Sequence, residues 1–217
     1  MSLIYPALIS SVFEVCVTQP IDVMKIHYQT STPVIYKFKN LYAGFTPRAI
    51  GNIPSRTIFL YSQDFFKIYF KDKSYNSYSP ILVPMCAGFS QTLVDTPVEV
   101  LKINKVMNVN NKFLYKGFIP HLTRNIIFLA CVYNFRENFK SESIYKNAFY
   151  GAIGGTIGAY ISHPFDTIKT RIQSNKDYKT LSIKELYKGS HLRASMSMIN
   201  MFISLSVFEL IKILDLF

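Results

Sequence analysis

The chain has 217 residues, and 24 Lys and Arg against 13 Asp and Glu give it a formal net charge of +11. Hydrophobic residues make up 49% and charged residues 17%, whereas an ordinary soluble domain carries about 25% charged residues. The 18 Phe and 15 Tyr exclude a disordered chain, and three cysteines exclude a disulfide scaffold. What remains is a basic, aromatic-rich chain that is either globular or embedded in a membrane.

Three marks recur in the same order along the chain. The first is Pro-x-acid-x-x-base, which is found at residues 20–25, 97–102 and 164–169. The second is Tyr-x-Gly, which is found at residues 42–44, 115–117 and 187–189. The third is acid-x-x-base, which is found at residues 64–67, 137–140 and 209–212. Marks repeated in phase indicate repeated structural units, so we predict three repeats over residues 1–72, 73–143 and 144–217.

Each repeat has one apolar stretch around its Pro motif and another that ends in its acid-x-x-base mark, which predicts two helices per repeat. The six predicted helices cover residues 3–28, 45–70, 80–106, 118–141, 147–172 and 190–214. Prolines inside a helix bend it, so we expect kinks at Pro20, Pro97 and Pro164. Small residues on the fifth helix predict close helix packing, and they are Gly151, Gly154, Gly155 and Gly158.

Helices of this length are long enough to cross a bilayer, because about 24 residues reach about 36 Å at the helical rise. The chain contains no run of 18 strictly apolar residues. From its first residues we expect neither a secretory signal nor an Arg-rich transit peptide. Moderately apolar helices suit a bundle around a watery path, with a soluble helical bundle as the alternative. We predict an all-α membrane protein with six transmembrane helices, in three pseudo-symmetric two-helix repeats around a central cavity.

This pattern resembles the mitochondrial carrier family over nearly the whole chain. The resemblance implies a six-helix bundle that works by alternating access around one central site. Each repeat is shorter than the family's by about a quarter, and the loss lies between the Pro motif and Tyr-x-Gly. The short matrix-side helices of the family should therefore be reduced or missing. Shortened repeats and a Lys-, Asn-, Tyr- and Ile-rich composition also resemble carrier-like proteins of giant DNA viruses.

Charges repeated with the motifs predict two gates. An acid and a base three residues apart share one helix face, so each acid can pair with the base of a neighbouring repeat. At the matrix gate the predicted pairs are Asp22 with Lys102, Glu99 with Lys169, and Asp166 with Lys25. By resemblance, Gln29 and Gln173 brace this gate, whereas Val106 replaces the glutamine in repeat two. The outer gate is predicted to pair Asp64 with Lys140, Glu137 with Lys212, and Glu209 with Lys67.

The resemblance also implies a substrate site on the even-numbered helices, seven residues past each repeat glycine. The residues there and immediately after them are Gly51, Asn52, Arg124, Asn125, Met196 and Ser197. Arg124 would be a charge inside the membrane, which is functional by default, and Arg56 lies a little further along its helix. Arginine binds carboxylate and phosphate through a planar fork, so this site predicts an anionic substrate.

The chemical class of the anion is less sharply indicated. Arg124 followed by Asn125 resembles keto-acid and dicarboxylate carriers. The viral resemblance and two arginines at different depths favour nucleotides or deoxynucleotides, which we take as the narrow first expectation. The keto-acid or dicarboxylate carrier is the alternative.

No metal-ligand cluster, phosphate loop or catalytic triad stands out in the sequence. We therefore expect a transporter that is not an enzyme and needs no cofactor or metal. Its expected partners are a small anionic solute and the lipid bilayer, including anionic lipid, without nucleic acid and as a monomer. The expected location is the inner mitochondrial membrane, either of the cell that encodes the protein or of a host cell. The rivals are a basic nucleic-acid-binding protein and a membrane scaffold that does not transport.

Overall fold

The computed structural model describes residues 4–71, 78–139 and 144–213, and within these ranges it contains helices and no strand. The long helices are α1 (Ile4–Gln29), α3 (Phe45–Lys71), α4 (Ser79–Met107), α5 (Phe118–Asn138), α6 (Ile144–Ile161), α7 (His163–Gln173) and α9 (Ser190–Ile213). Two one-turn helices are α2 (Phe38–Leu41) and α8 (Ile183–Leu186). The all-helical class predicted from the sequence is therefore confirmed.

The predicted helix boundaries agree with these to within a few residues, with one exception. The fifth predicted helix is two helices, because the chain turns at Ser162 and restarts as α7 with Pro164 in its first turn. Proline favours the start of a helix, where its missing N–H costs nothing. Within the described ranges no helix is at once long and apolar enough to cross a membrane. The predicted six-span arrangement is thus not confirmed.

The long helices form a closed ring. α1 packs on α3, α3 on α4, α4 on α5, α5 on α6, α6 on α9, and α9 returns to α1. The glycines of α6 allow the close approaches, because a Cβ on Gly154 would lie 2.8 Å from Phe135 Cβ, and one on Gly158 would lie 3.0 Å from Cys131 Cβ. At one end of the ring α1, α4 and α7 also touch one another. The chain segments that follow the three motif prolines therefore converge there.

The tyrosine of the Tyr-x-Gly mark compensates for the proline of the same repeat. A proline cannot donate to the carbonyl four residues before it. For Pro20 that carbonyl belongs to Cys16, and the Tyr42 hydroxyl donates to it at 3.2 Å. In repeat two the carbonyl belongs to Leu93, and the Tyr115 hydroxyl donates to it at 3.3 Å. In repeat three, where the helix is broken, Tyr187 instead stacks on His163 with ring centroids 6.2 Å apart.

The glycine of the same mark forms a left-handed turn that packs on a neighbouring repeat. Gly44, Gly117 and Gly189 have φ of 73°, 74° and 81°, the left-handed region that favours glycine. A Cβ on Gly44 would lie 2.9 Å from the backbone oxygen of Lys102. The corresponding distances from Gly117 to Lys169 and from Gly189 to Lys25 are 3.5 and 3.6 Å. Each turn thus supports the motif lysine of another repeat.

The segments between the Pro motif and Tyr-x-Gly are short, as the sequence predicted. Only α2 and α8, of four residues each, lie there, and residues 114–117 of repeat two form a turn. α8 begins with a capping box, in which Ser182 and Glu185 satisfy each other's backbone amides. The hydrogen bonds from Ser182 lower the pKa of Glu185 below its ordinary value.

Candidate functional site

The ring of helices encloses a cavity of about 300 Å³ whose walls are largely polar and charged. Every long helix except α7 contributes to its lining. The charged and polar lining residues are Glu14, Asp22, Lys25, Arg48, Asn52, Arg56, Gln91, Asp95, Glu99, Lys102, His121, Arg124, Asn125, Arg193, Ser197 and Asn200.

The floor of the cavity belongs to a closed ring of alternating charges, whose members on α1 and α4 line the cavity and whose members on α7 do not. Three of its contacts join different repeats, and they are the ones predicted from the sequence: Lys102 to Asp22 at 2.9 Å, Lys169 to Glu99 at 2.6 Å and Lys25 to Asp166 at 3.1 Å. Three further contacts join acid and base of one motif, at 3.2 Å for repeat one, 2.5 Å for repeat two and 3.7 Å for repeat three. Each acid therefore lies between two lysines.

Arginines outside the predicted gate add positive charge to this floor. Arg48 lies 3.4 Å from Asp22, and Arg193 lies 3.7 Å from Asp166. Both follow their repeat glycine by four residues, and His121 has the same place in repeat two. These residues were not predicted to belong to the gate, although their equal spacing from the glycines is visible in the sequence. The two arginines, Arg124 and the three lysines are six cations in contact with three acids.

The two predicted bracing glutamines behave differently. The Gln29 side-chain amide donates to Asp166 Oδ2 at 2.8 Å, so it contacts a gate carboxylate directly. The Gln173 side-chain amide donates to the backbone oxygen of Lys116 at 3.0 Å. It therefore braces the Tyr-x-Gly turn of repeat two, and the predicted contact with the gate is not made.

Six of the seven residues predicted to bind substrate line the cavity. Arg124 lies 3.4 Å from Asp166 and donates to Asn125, which in turn donates to Thr92 Oγ1 at 2.9 Å. Arg56 forms an ion pair with Glu14, and the Asn52 amide donates to the Ser11 carbonyl at 3.2 Å. Met196 and Ser197 lie in the wall contributed by α9, and their role in binding stays a prediction.

Gly51, the seventh of these residues, is not in the lining of the cavity. A Cβ at this position would lie 2.3 Å from Val98 Cγ2 on α4. Real Cβ contacts are essentially never under 3.0 Å. Gly51 is therefore a packing residue, and the predicted substrate contact is wrong in this structure.

Most of the predicted outer gate falls outside the described part of the chain. Lys140 lies outside the described residues, and so do the side chains of Glu137, Glu209 and Lys212. Asp64 and Lys67 are described and exposed, and the Lys67 amino group lies 5.8 Å from the centre of the Tyr133 ring. The outer gate stays a prediction.

Three contacts between repeats lie just beyond the charge ring, at the ends of the converging helices. The Arg171 Nε donates to the Gln29 carbonyl at 2.8 Å, and the Asn111 amide donates to the Gln173 carbonyl at 2.5 Å. The Thr30 hydroxyl lies 3.8 Å from the sulfur of Met107. These contacts link repeat three to one, two to three and one to two, so they close a second ring.

Sequence comparison adds evidence that is independent of this geometry. A family model described as mitochondrial carrier protein matches residues 140–182. A probable mitochondrial 2-oxodicarboxylate carrier of Schizosaccharomyces pombe is 28% identical over 76% of this chain and 72% of its own length. The mitochondrial 2-oxodicarboxylate carrier of Rattus norvegicus is 26% identical over 74% and 70%. A mitochondrial electrogenic aspartate/glutamate antiporter of Homo sapiens is 29% identical over 63% of this chain and 24% of its own length.

Proposed function

We propose that this protein, which belongs to the mitochondrial carrier family, carries a small keto-acid or dicarboxylate anion across the inner mitochondrial membrane. Members of the family are transporters, not enzymes, and the proposal places the present chain among them. The observation that carries it is the cavity whose floor holds more cations than acids.

The distribution of polar and apolar residues supports an apolar environment around the ring of helices. On α1 the inward side chains of Glu14, Thr18 and Asp22 are buried, whereas Phe13 and Val17 are 56% and 52% exposed. The same inversion continues around the ring, where exposed apolar residues include Ile50, Phe65, Ile68, Ile81, Phe89, Phe149 and Phe202. A belt of this kind marks a surface that meets lipid or a partner, and polar residues that face inward suit a bundle around a watery path.

The cavity favours an anion because its cations outnumber the acids they contact. In surroundings of low dielectric constant this excess attracts a negative solute more strongly than the same charges would in water. Arg124 offers a planar guanidinium beside Asn125, a combination that suits a carboxylate. The side chain of Arg124 is 25% exposed, so a solute in the cavity can reach it.

The keto-acid or dicarboxylate alternative now replaces the first expectation of a nucleotide. The relatives named above are described as carriers of 2-oxodicarboxylates or of aspartate and glutamate, and nucleotide specificity finds no support in those names. The cavity volume of about 300 Å³ is also at the lower end of ligand cavities. A small acid fits these observations better than a nucleoside polyphosphate. The viral resemblance and the location in a host's mitochondrion stay predictions.

Alternating access would use the charge ring as the inner gate. Buried ion pairs contribute little net stability after desolvation, so they can exchange for hydrated charges at modest cost. A dicarboxylate bound by Arg124 would weaken the contact between Arg124 and Asp166, and through Asp166 the link to Lys25. We propose that substrate binding loosens the floor in this way. The three repeats over residues 1–72, 73–143 and 144–217, the monomeric state and the closing outer gate belong to the same proposal.

Uptake by proteoliposomes tests the proposal. The full chain, reconstituted with internal 2-oxoglutarate, should exchange it for labelled 2-oxoglutarate or malate faster than for labelled ADP or dATP. Arg124→Ala should reduce this uptake by about 100-fold or more, since a buried charged partner is lost. Lys184→Ala, which removes an exposed charge of α8, is the matched control and should have no effect.

Three results would contradict the proposal. The first is no uptake of any carboxylate by vesicles that contain folded protein, and the second is faster uptake of nucleotides than of carboxylates. The third is release of the protein from membranes by high salt or carbonate, which would favour the basic nucleic-acid-binding alternative. Unchanged uptake by Arg124→Ala would leave transport standing and overturn the substrate site.

A further inference from the structure

One carboxylate in the cavity lacks the ion pair that the others have. Four acidic residues line the cavity: Glu14, Asp22, Asp95 and Glu99. Glu14 is paired with Arg56, and Asp22 and Glu99 belong to the charge ring. Among the residues that the structure describes, Asp95 has no Lys, Arg or His nitrogen within ion-pair distance. The Ser55 hydroxyl is its polar neighbour.

The repeats explain why Asp95 is unusual. It lies two residues before the motif proline, a position that is Thr18 in repeat one and Ser162 in repeat three. There the hydroxyl accepts a hydrogen bond from the arginine that follows the repeat glycine, Arg48 at 3.0 Å and Arg193 at 2.8 Å. In repeats one and three, therefore, this position is a neutral hydrogen-bond acceptor that contacts a cation of the same repeat.

Repeat two changes both members of this pair. A carboxylate replaces the hydroxyl, and His121 replaces the arginine. The His121 ring does not serve as the missing cation, because its Nδ1 lies 3.0 Å from the Thr96 hydroxyl. Asp95 thus places a carboxyl group on the cavity wall, one helical turn from Gln91 and one from Glu99, which also line the cavity.

A cation that reaches Asp95 must also meet the arginine nearby. Arg124 and Asp95 line the same cavity, yet the two side chains form no ion pair within the described part of the chain. An α-amino acid carries an ammonium and a carboxylate on the same carbon atom. It can therefore bridge two groups of opposite charge that lie near each other without touching.

We infer that Asp95 binds the ammonium group of the substrate, so that the carried anion is an amino dicarboxylate in preference to the corresponding 2-oxo acid. The inference rests on the proposed function, because it names the substrate of the same cavity. Arg124 binds the α-carboxylate, and Asp95 accepts hydrogen bonds from the ammonium group. A 2-oxo acid offers Asp95 no donor and brings an oxygen towards a carboxylate, which disfavours it electrostatically.

Glutamate and 2-oxoglutarate are the matched probes, because they differ only in the amino or keto group at the second carbon. In proteoliposomes with the wild-type chain, unlabelled glutamate should inhibit the uptake of labelled 2-oxoglutarate at about 10-fold to 100-fold lower concentration than unlabelled 2-oxoglutarate does. This is the range expected of one charge-assisted hydrogen bond. Asp95→Ser reproduces the hydroxyl of the other two repeats and should reduce this preference at least about tenfold. Asp177→Ser removes an exposed loop carboxylate and should leave the preference unchanged.

The outcomes separate the two proposals. If neither acid is taken up, the proposed function fails. If 2-oxoglutarate is taken up and the wild-type chain shows no preference for glutamate, the inference is overturned and the proposed function stands. An unchanged preference in Asp95→Ser, or an equal loss of both uptakes, also overturns it. Because the wild-type competition needs no variant, it decides the question even if Asp95→Ser fails to fold.

Discussion

The Lys102 amino group lies 2.9 Å from the Asp22 carboxylate, although 80 residues separate the two along the chain. The contact is one of three that join neighbouring repeats at the cavity floor. The Tyr-x-Gly turn of repeat one stands directly behind it, since Gly44 packs against Lys102. The Pro motif and the Tyr-x-Gly mark are therefore parts of one construction, in which a proline-containing helix, its supporting tyrosine and its glycine turn bring opposite charges together.

The acids of the charge ring should differ in their importance for stability. Asp166 is fully buried and has Lys25, Arg124, Lys169 and Arg193 within ion-pair distance. The Glu99 side chain is 21% exposed and contacts two lysines. Removing one partner of a buried ion pair leaves uncompensated charge and costs about 3–5 kcal/mol. Asp166→Asn should therefore lower the free energy of unfolding in detergent by about this amount, and Glu99→Gln by clearly less. The measurement is the decrease in unfolding temperature of each variant.

The reverse order of these two losses would contradict the assignment of Asp166 as the principal acid of the floor. Asp177→Asn serves as the control, because this carboxylate lies in an exposed loop and contacts Thr180 and the Lys179 amide. It should leave the unfolding temperature close to that of the wild-type chain.

The tyrosine hydroxyls offer a test of the proline compensation. Tyr42→Phe removes the donor to the Cys16 carbonyl, which Pro20 leaves without its helical partner. The expected loss is about 1 kcal/mol of unfolding free energy, the net value of one hydrogen bond. Tyr187→Phe is the matched control, since the ring of Tyr187 stacks on His163 and its hydroxyl has no hydrogen bond among the described residues. Chemical unfolding should separate the two variants, and equal losses would refute the explanation.

Gly51 provides a test of helix packing at a position first expected to bind substrate. Gly51→Ala places a methyl group against Val98, whose branched side chain has one favoured rotamer in a helix. Overpacking costs about 1–3 kcal/mol, and a clash at 2.3 Å should lie in the upper part of that range, above the gain of about 1 kcal/mol from replacing glycine in a helix. The variant should unfold at a lower temperature than the wild-type chain, and adding Val98→Ala should recover the lost stability. Gly88→Ala, where the nearest atom is Leu129 Cδ1 at 3.3 Å, should have little effect; a loss as large as that of Gly51→Ala would contradict the clash.

Most of the helices and the three gate pairs could be predicted because they depend on order and spacing along the chain. Three motifs in phase define equivalent positions, and an acid and a base three residues apart share one face of a helix whatever surrounds it. Pro20 and Pro97 lie inside continuous helices, and the kinks expected there from the missing amide hydrogen stay a prediction. The outcome differed for Pro164, where a glycine-rich helix precedes the proline and the chain breaks at Ser162.

The partners across the cavity were decided only by the closed ring of helices. The sequence shows that Asp95 stands where the other repeats have a hydroxyl, and that His121 stands where they have an arginine. Only the packing shows that His121 contacts Thr96 and leaves Asp95 without a cation. Similarly, nothing in the sequence indicates that Gly51 meets Val98 or that Arg193 reaches Asp166. Spacing along one helix fixes which residues share a face, whereas the angle and closeness of neighbouring helices decide what that face meets.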